Sequence, residues 1–294
     1  MSTPSNPQSA ATVALATLAG AAMAWAGSDG GDRVGEIPVF ALCGALAFAI
    51  NWLVFIPSAL ARTERYYDLA GGLTYVSLIV VAVALSGRLD LRASLVAAMV
   101  LIWSLRLATF LFLRIARAGH DSRFDQLKRS PLRFLMAWTL QGLWVLLTAA
   151  AALAVITGGV REPLGAIGLA GLVVWALGLV LEVVADHRSP GSGPIRPTRG
   201  GSSTSGCGPG RATRTTSARS SCGRAWRSVA VPVLQGWRWA TLISPAFVAV
   251  LLIKVSGIPL LEAKADERWG RQAAYEDYKR RTPVLIMKPP VRGR

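Results

Sequence analysis

An all-α bundle of about seven membrane-spanning helices is the fold that this sequence predicts. Hydrophobic residues make up 52% of its 294 residues and charged residues only 16%, whereas a soluble domain carries roughly 25% charged residues. The apolar residues form runs near the roughly 20 residues that a helix needs to cross the hydrocarbon core of a bilayer. Because lipid offers backbone groups no hydrogen-bond partner, such runs are expected to be helical.

Seven apolar runs follow one another along the chain. The first is rich in alanine and lacks the basic segment of a signal peptide, so it is interpreted as a weak first span. The predicted spans are Ala10–Gly27, Pro38–Leu60, Ala70–Ser86, Ala93–Leu113, Phe134–Thr157, Leu164–Ala185 and Val229–Val255. They define four regions: an N-terminal segment (1–36), the main helical domain (37–186), a polar insert (187–228), and the last span with a basic tail (229–294).

The charge distribution predicts the orientation of the chain in a membrane. Lys and Arg number 32 against 16 Asp and Glu, for a net charge of +16. The bases are concentrated in the connections after the second, fourth and sixth spans, so these connections and the N-terminus are expected to be cytoplasmic. This favours a multi-pass protein of the inner (cytoplasmic) membrane over a nucleic-acid-binding protein. Two histidines and three scattered cysteines argue against a metal site.

The insert His187–Ser228 differs from the sequence on either side of it. It has no Leu, Val, Phe, Tyr or Met, and it consists mostly of Arg, Ser, Gly, Pro, Thr and Ala. Seven spans place the C-terminus outside the cytoplasm, yet residues 256–294 carry nine Lys and Arg against five Asp and Glu. One more span between Asp186 and Pro232 would return this basic tail to the cytoplasm.

Short patterns occur in a fixed order on both sides of the insert. They include Tyr67-Asp-Leu-Ala-Gly-Gly-Leu-Thr-Tyr75, Trp103-Ser-Leu-Arg106, Asp121-Ser-Arg-Phe-Asp125, Trp138-Thr-Leu-Gln141, Glu182-Val-Val-Ala-Asp186, Ser256-Gly-Ile-Pro-Leu-Leu-Glu262 and Tyr275-Glu-Asp-Tyr-Lys-Arg-Arg281. As an ordered set, over about residues 37–186 and 229–290, they resemble bacterial membrane proteins of unknown function related to steroid 5-alpha-reductase. The resemblance implies NADPH-dependent reduction of a C=C bond in a lipid-like substrate, with membrane lipid as the other partner and no nucleic-acid or known protein partner.

The insert stands where that family is expected to carry Phe-Arg-Ala-Asp-Pro-Ala-Asn and, later, Ser-Arg-His-Pro-Asn-Tyr-Phe-Gly-Glu. When the first peptide is written in G+C-rich codons and read one base late, it yields Ser192–Thr198. The second peptide, treated in the same way, yields Arg211–Ala218. The hypothesis is therefore a pair of compensating frameshifts near His187 and Ser228, which also explains the missing eighth span. The alternative is a genuine Arg/Ser-rich disordered loop.

Three residues are candidates for proton transfer. Glu182 and Asp186 are one helical turn apart near the cytoplasmic end of the sixth span, where they could orient a base or move a proton. Tyr67, next to Asp68, could donate at the membrane surface. The alternatives are a polar helix end that packs on the next loop, and a tyrosine of the interfacial aromatic belt.

Six residues are candidates for contacts to the cofactor implied by the resemblance. Arg106 lies near the middle of an apolar span, where a charge usually faces a cavity or a partner; it could instead pair with Glu182 or Asp186. Arg123 belongs to a basic loop that would suit a phosphate or an anionic lipid. The others lie in the tail, which could equally be an amphipathic helix on the membrane: Glu262, Tyr275, Tyr278 and Arg281.

Two other functions remain open at the level of sequence. Isoprenylcysteine and phospholipid methyltransferases share the C-terminal architecture of the family and a similar His-Pro motif, which would make the cofactor S-adenosylmethionine. A non-catalytic membrane protein is the third interpretation. The missing motif predicts that this chain, as it is written, has impaired activity.

Overall fold

The chain forms two compact units, residues 1–172 with 226–244, and residues 173–225 with 245–294. The computed structural model describes residues 5–87, 89–118, 124–160, 162–187, 229–244 and 247. Most of these residues belong to the first unit. In the second unit the described residues are the carboxyl-terminal part of one helix and Phe247.

Six long α-helices make up most of the described chain. They are α1 (Asn6–Gly27), α2 (Val39–Leu60), α3 (Tyr67–Leu85), α4 (Leu91–Ala118), α5 (Pro131–Ile156) and α6 (Ala166–His187). Five of them, α1 to α5, are long and apolar enough to cross a membrane, and α6 contains the shorter apolar stretch Gly168–Val180. At about 1.5 Å per residue, a helix of this kind spans the roughly 30 Å hydrocarbon core. The predicted all-α, polytopic bundle is confirmed.

Local signals in the sequence explain where the helices begin. Ser5 and Gln8 form a capping box in which Ser5 N donates to Gln8 Oε1 at 2.8 Å and Gln8 N donates to Ser5 Oγ at 3.4 Å. Pro131 starts α5, where its missing N–H has no partner to lose. Between α1 and α2 the strands β1 (Arg33–Val34) and β2 (Ile37–Pro38) form a small antiparallel hairpin. Its turn uses Gly35 at φ +58.

Helix α5 is the centre of the first unit. Its apolar window is 83% buried, against 28% for that of α1, and it packs against α1, α2, α3 and α4. The run Ala149–Ala152 is buried in its carboxyl-terminal half, since small side chains let neighbouring helices approach closely. Large aromatic side chains fill its amino-terminal half, where Phe134 and Trp138 are fully buried.

The connections between helices meet at two ends of the first unit. After α1, α3 and α5 they converge, because Asp32 N donates to the Thr157 carbonyl at 2.8 Å and Gly87 N donates to Asp32 Oδ2 at 3.3 Å. We call this the Arg238 end. The connections after α2 and α4 are joined by Lys128 and Glu64, and we call theirs the Tyr67 end.

The predicted span Val229–Val255 differs from the structure in its first half. Residues Val231–Val233 and Gly236–Ile243 form two short 3₁₀ helices, and the second is called the cap helix below. Pro232 lacks a backbone donor, and Gly236 lies at φ +54, so a continuous α-helix is interrupted here. Eight residues of 3₁₀ helix rise only about 16 Å at about 2 Å each, roughly half a bilayer core. Residues 248–255 lie outside the described chain.

Candidate functional site

Tyr67, the first residue of α3, makes hydrogen bonds to α5 through both its side chain and its backbone. Its hydroxyl donates to the Ala137 carbonyl at 3.1 Å, and its own carbonyl accepts from Gln141 Nε2 at 2.7 Å. The ring packs against Phe124 and Trp138, with centroids 4.7 and 5.2 Å away. The structure therefore brings two of the sequence patterns, the one that starts at Tyr67 and the one that ends at Gln141, into direct contact.

Polar side chains continue this contact toward the middle of the helices. Asn51 Nδ2 donates to the Ala47 carbonyl at 2.8 Å and to Thr74 Oγ1 at 3.2 Å. Thr74 in turn donates to the Ala70 carbonyl at 2.7 Å. Asn51 and Thr74 are fully buried and Gln141 is nearly so. These three residues, contributed by α2, α3 and α5, are called the polar layer.

A glycine makes room for the polar layer. A Cβ atom at Gly71 would overlap the side-chain amide of Gln141. Gly71 and Thr74 are three residues apart and therefore share a face of α3. The close approach of Gln141 to α3 thus depends on the missing side chain at position 71.

Four buried polar atoms near this contact are left without a hydrogen bond. They are Asn51 Oδ1, Ser58 Oγ, Trp138 Nε1 and Gln141 Oε1, and none of them has a hydrogen-bond partner within the described part of the chain. An unsatisfied buried polar group costs about 1–3 kcal/mol, and such groups in native proteins call for an explanation such as a functional role. Three of them are acceptor-capable oxygens and one is an N–H donor.

An ion pair closes the Tyr67 end. Lys128 Nζ lies 2.5 Å from Glu64 Oε2 and 3.8 Å from Asp125 Oδ1. Glu64 is buried, so Lys128 compensates a carboxylate that water reaches poorly. The pair ties the α2–α3 connection to the α4–α5 connection, directly before Tyr67 and the aromatic residues that surround it.

Two buried arginines hold the opposite end together. Arg238, in the cap helix, donates from Nη1 to the Ala154 carbonyl at 3.3 Å and from Nη2 to the Thr157 carbonyl at 3.2 Å. Burial lowers the pKa of its guanidinium, while the nearby carboxylates of Asp29 and Asp32 act in the opposite direction. Arg92 donates to three carbonyls, those of Glu162 at 3.2 Å, Val229 at 2.5 Å and Pro163 at 2.6 Å.

The predicted site residues are only partly within reach of the structure. Tyr67 lies in the site described above, and Arg106 is half-buried on α4. The backbones of Glu182 and Asp186 are in α6, but their side chains lie outside the described residues. Also outside them are Arg123, Glu262, Tyr275, Tyr278 and Arg281. The roles of all nine residues, Tyr67 and Arg106 included, stay predictions.

The polar layer was not predicted from the sequence. Gln141 belongs to the pattern Trp138-Thr-Leu-Gln141, to which no role was assigned, and no role was predicted for Asn51 or Thr74. The usable signal was the occurrence of single amide and hydroxyl side chains within apolar runs, which in a membrane are expected to hydrogen-bond across helices. Among the residues that the structure describes, no group of three or more His, Cys, Asp or Glu side chains could hold a metal ion.

Comparison with known proteins identifies one matching family. A family model described as a protein of unknown function (DUF1295) matches residues 54–190 and 225–282. The matched ranges contain α3, α4, α5 and α6, together with the cap helix. The residues between the two ranges, 191–224, fall inside the Arg/Ser-rich insert. No curated protein matches the chain, and no solved structure matches it.

Proposed function

Because the chain belongs to the DUF1295 family, whose match covers most of its helical domain, we propose that it is a membrane-embedded oxidoreductase of the inner membrane. Its reaction would be the NADPH-dependent reduction of a C=C bond in a lipid-like substrate. The support for the reaction type is the resemblance of its ordered patterns to bacterial relatives of steroid 5-alpha-reductase. The support for the location is the concentration of bases at the Tyr67 end, which orients that end toward the cytoplasm.

The observation that carries the proposal is the group of buried polar atoms near Tyr67 that have no hydrogen-bond partner among the described residues. Apolar helices of membrane length have no structural need for an amide oxygen, a hydroxyl and an indole N–H without hydrogen-bond partners. A lipid-like substrate combines an apolar body, which the surrounding helices accommodate, with a small polar group, which such atoms can hydrogen-bond. Polar groups buried in a membrane are therefore expected to mark a binding site.

Within this proposal Tyr67 is the proton donor. Its hydroxyl already donates to the Ala137 carbonyl at 3.1 Å and can turn to a substrate carbon or oxygen that receives a proton. The rings of Phe124 and Trp138 pack on it and limit the access of water. The polar layer would fix the orientation of the substrate's polar group.

The fit of the cofactor can be tested on one residue of the described chain. NADPH would supply the hydride. Of the six predicted cofactor contacts, only Arg106 lies within the described residues. A single half-buried guanidinium suits a phosphate group but not a whole dinucleotide.

The proposal includes the frameshift hypothesis for the insert. Two observations support it: the family match omits residues 191–224, and Arg92 holds the carbonyls of both Pro163 and Val229. Val229 therefore lies at the end where α6 begins. If α6 crosses the membrane, the chain has to return across it before Val229, yet residues 187–228 contain no run of about 20 apolar residues. Genomic bases that code for the insert in the same phase as related genes would refute the hypothesis.

Thermal unfolding in detergent separates the possible cofactors. We compare the chain as it is written with a frame-corrected chain, each with NADPH, with S-adenosylmethionine and with neither. At a hundredfold excess over its dissociation constant, a ligand stabilises a protein by about 2.7 kcal/mol. NADPH is expected to protect the frame-corrected chain alone. Protection by S-adenosylmethionine would identify a methyltransferase instead, and protection by neither would favour a non-catalytic protein.

Tyr67→Phe tests the proton donor. The substitution keeps the ring and its aromatic contacts but removes the hydroxyl. In the frame-corrected chain it is expected to leave protection by NADPH intact and to slow reduction of unsaturated lipid ketones about 100-fold or more. Tyr66→Phe, at an exposed neighbouring ring, is the matched control. Equal rates in the two variants would exclude Tyr67 from catalysis.

A further inference from the structure

The cap helix separates its polar and apolar side chains by direction. Arg238 and Thr241 point inward and are buried, and Thr241 Oγ1 donates to the Arg238 carbonyl at 2.7 Å. Trp237 and Trp239 are 63% and 50% exposed. Two large indole rings thus face outward from a helix whose only cation is turned toward the protein.

Hydrogen bonds fix the level at which these rings lie. Arg238 donates to carbonyls at the carboxyl end of α5. Trp237 N donates to Asp29 Oδ2 at 3.0 Å, just beyond the last residue of α1. The cap helix therefore lies level with the carboxyl ends of two membrane-length helices, α1 and α5.

A third indole continues the same surface onto α1. Trp25 is 66% exposed and packs against Trp237, with ring centroids 5.4 Å apart and the ring planes tilted by 51°. Leu15 and Leu18, near the middle of α1, are also exposed. In a membrane-length helix, such leucines face the acyl chains. The three indoles thus lie at the edge of this exposed apolar surface that is nearest the Arg238 end.

We propose that Trp25, Trp237 and Trp239 form a lipid-contact surface at the headgroup level of the bilayer, and that the cap helix lies in that interface instead of crossing the membrane. Indole rings favour this zone because their apolar body meets the acyl chains while the N–H meets water and headgroups. The inward Arg238 leaves the outer face of the cap helix apolar, as an interfacial helix requires. A second protein copy is disfavoured because the surface is continuous with the exposed leucines of α1.

Spin-label depth measurements in vesicles test the proposal on the full chain. Cys207 and Cys222 are changed to Ser, and Cys43, which is fully buried, is changed to Ala. One cysteine is then placed at Trp237, Trp239, Trp25, Leu15 or Ile37 and labelled with a nitroxide. Collisions with oxygen, which concentrates in the membrane, are compared with collisions with a water-soluble nickel chelate. Leu15 serves as the deep control. Ile37, exposed in the β1–β2 hairpin, serves as the loop control.

The expected result is one shared depth for positions 25, 237 and 239, shallower than that of position 15. At these three positions oxygen collisions should exceed those at position 37, and nickel collisions should exceed those at position 15. Labels at 237 and 239 as accessible to nickel as the label at 37 would place the cap helix in water. Labels as deep as the one at 15 would make it part of a span. Either result overturns the proposal. If the substitutions at positions 237 and 239 impair folding, the label at position 25 still reports the depth of the surface, because Trp25→Cys leaves the cap helix unchanged.

Discussion

The two ends of the first unit bury polar groups in opposite ways. At the Arg238 end, two arginines are 3% exposed, and five of their six guanidinium nitrogens donate to the backbone carbonyls of Ala154, Thr157, Glu162, Pro163 and Val229, while Arg238 Nε has no partner among the described residues. At the Tyr67 end and in the adjoining polar layer, side-chain oxygens and an indole N–H are left without a hydrogen bond inside the described chain.

The difference separates structural from functional burial. A guanidinium that donates to backbone carbonyls without another partner satisfies groups whose burial would otherwise cost free energy. The arginines of the Arg238 end therefore stabilise the fold. Polar atoms that remain unsatisfied destabilise the fold. Under the proposed function, a bound substrate would supply their missing hydrogen bonds. The following substitutions break or sharpen this contrast, from the largest expected effect to the smallest.

Arg238→Met should give the largest loss of stability, about 3 kcal/mol, because it removes two charge-assisted hydrogen bonds from a buried position to carbonyls at the end of α5. Thermal or denaturant-induced unfolding in detergent measures it. Arg33→Met is the control, since Arg33 is an exposed arginine whose side chain donates to the Glu36 carbonyl. Equal losses in the two variants would mean that the cap helix is not held by Arg238.

Glu64→Gln should cost about 2 kcal/mol, because it removes the charge partner of Lys128 at a poorly solvated position. Asp125→Asn, at the longer distance of 3.8 Å and on an exposed carboxylate, should change stability by less than about 0.5 kcal/mol. The same unfolding measurement applies. A larger loss of stability in Asp125→Asn would show that the main contact of Lys128 is with Asp125 and not with Glu64.

Gly71→Ala should cost about 1 kcal/mol. Overlap of the new methyl group with the Gln141 amide costs about 1–3 kcal/mol, offset by a gain of about 1 kcal/mol in helix propensity. Gly165→Ala, at the residue before α6, where a Cβ would meet no atom within 4 Å, is the control for space and should cost less than about 0.5 kcal/mol. A stabilised Gly71→Ala variant would show that Gln141 does not depend on close approach to α3.

Ser58→Ala should have the smallest cost: removal of an unsatisfied buried hydroxyl is expected to raise the stability of the ligand-free protein slightly, by up to about 1 kcal/mol. Its hydroxyl oxygen is buried and makes no hydrogen bond to any described residue, so little is lost when it is removed. The measurement is unfolding of the purified protein without added ligand. A loss above about 1 kcal/mol would show that the hydroxyl is already hydrogen-bonded, by water or by a co-purified lipid.

The helices were predictable because the bilayer sets their length. Apolar runs at 38–60 and 134–157 correspond to α2 at Val39–Leu60 and α5 at Pro131–Ile156. At 229–243 the structure has two 3₁₀ helices where a membrane-spanning α-helix was predicted, because that prediction rested on the apolar content of the whole run 229–255. Pro232, Gly236 and Arg238 were all present as signals, but they became decisive only once the carbonyls of α5 were there to receive Arg238.

By itself, the sequence determined that this chain is a helical membrane protein and where α1 to α6 lie, since hydrophobic length and helix-start residues are local properties. It could not determine which helix faces meet. The joining of Asn51 to Thr74 across 23 positions, and of Gln141 to Tyr67 across 74, was decided by tertiary packing. So was the burial of Arg92 and Arg238, because a polar side chain in a membrane protein takes its role from the partners that other helices bring to it.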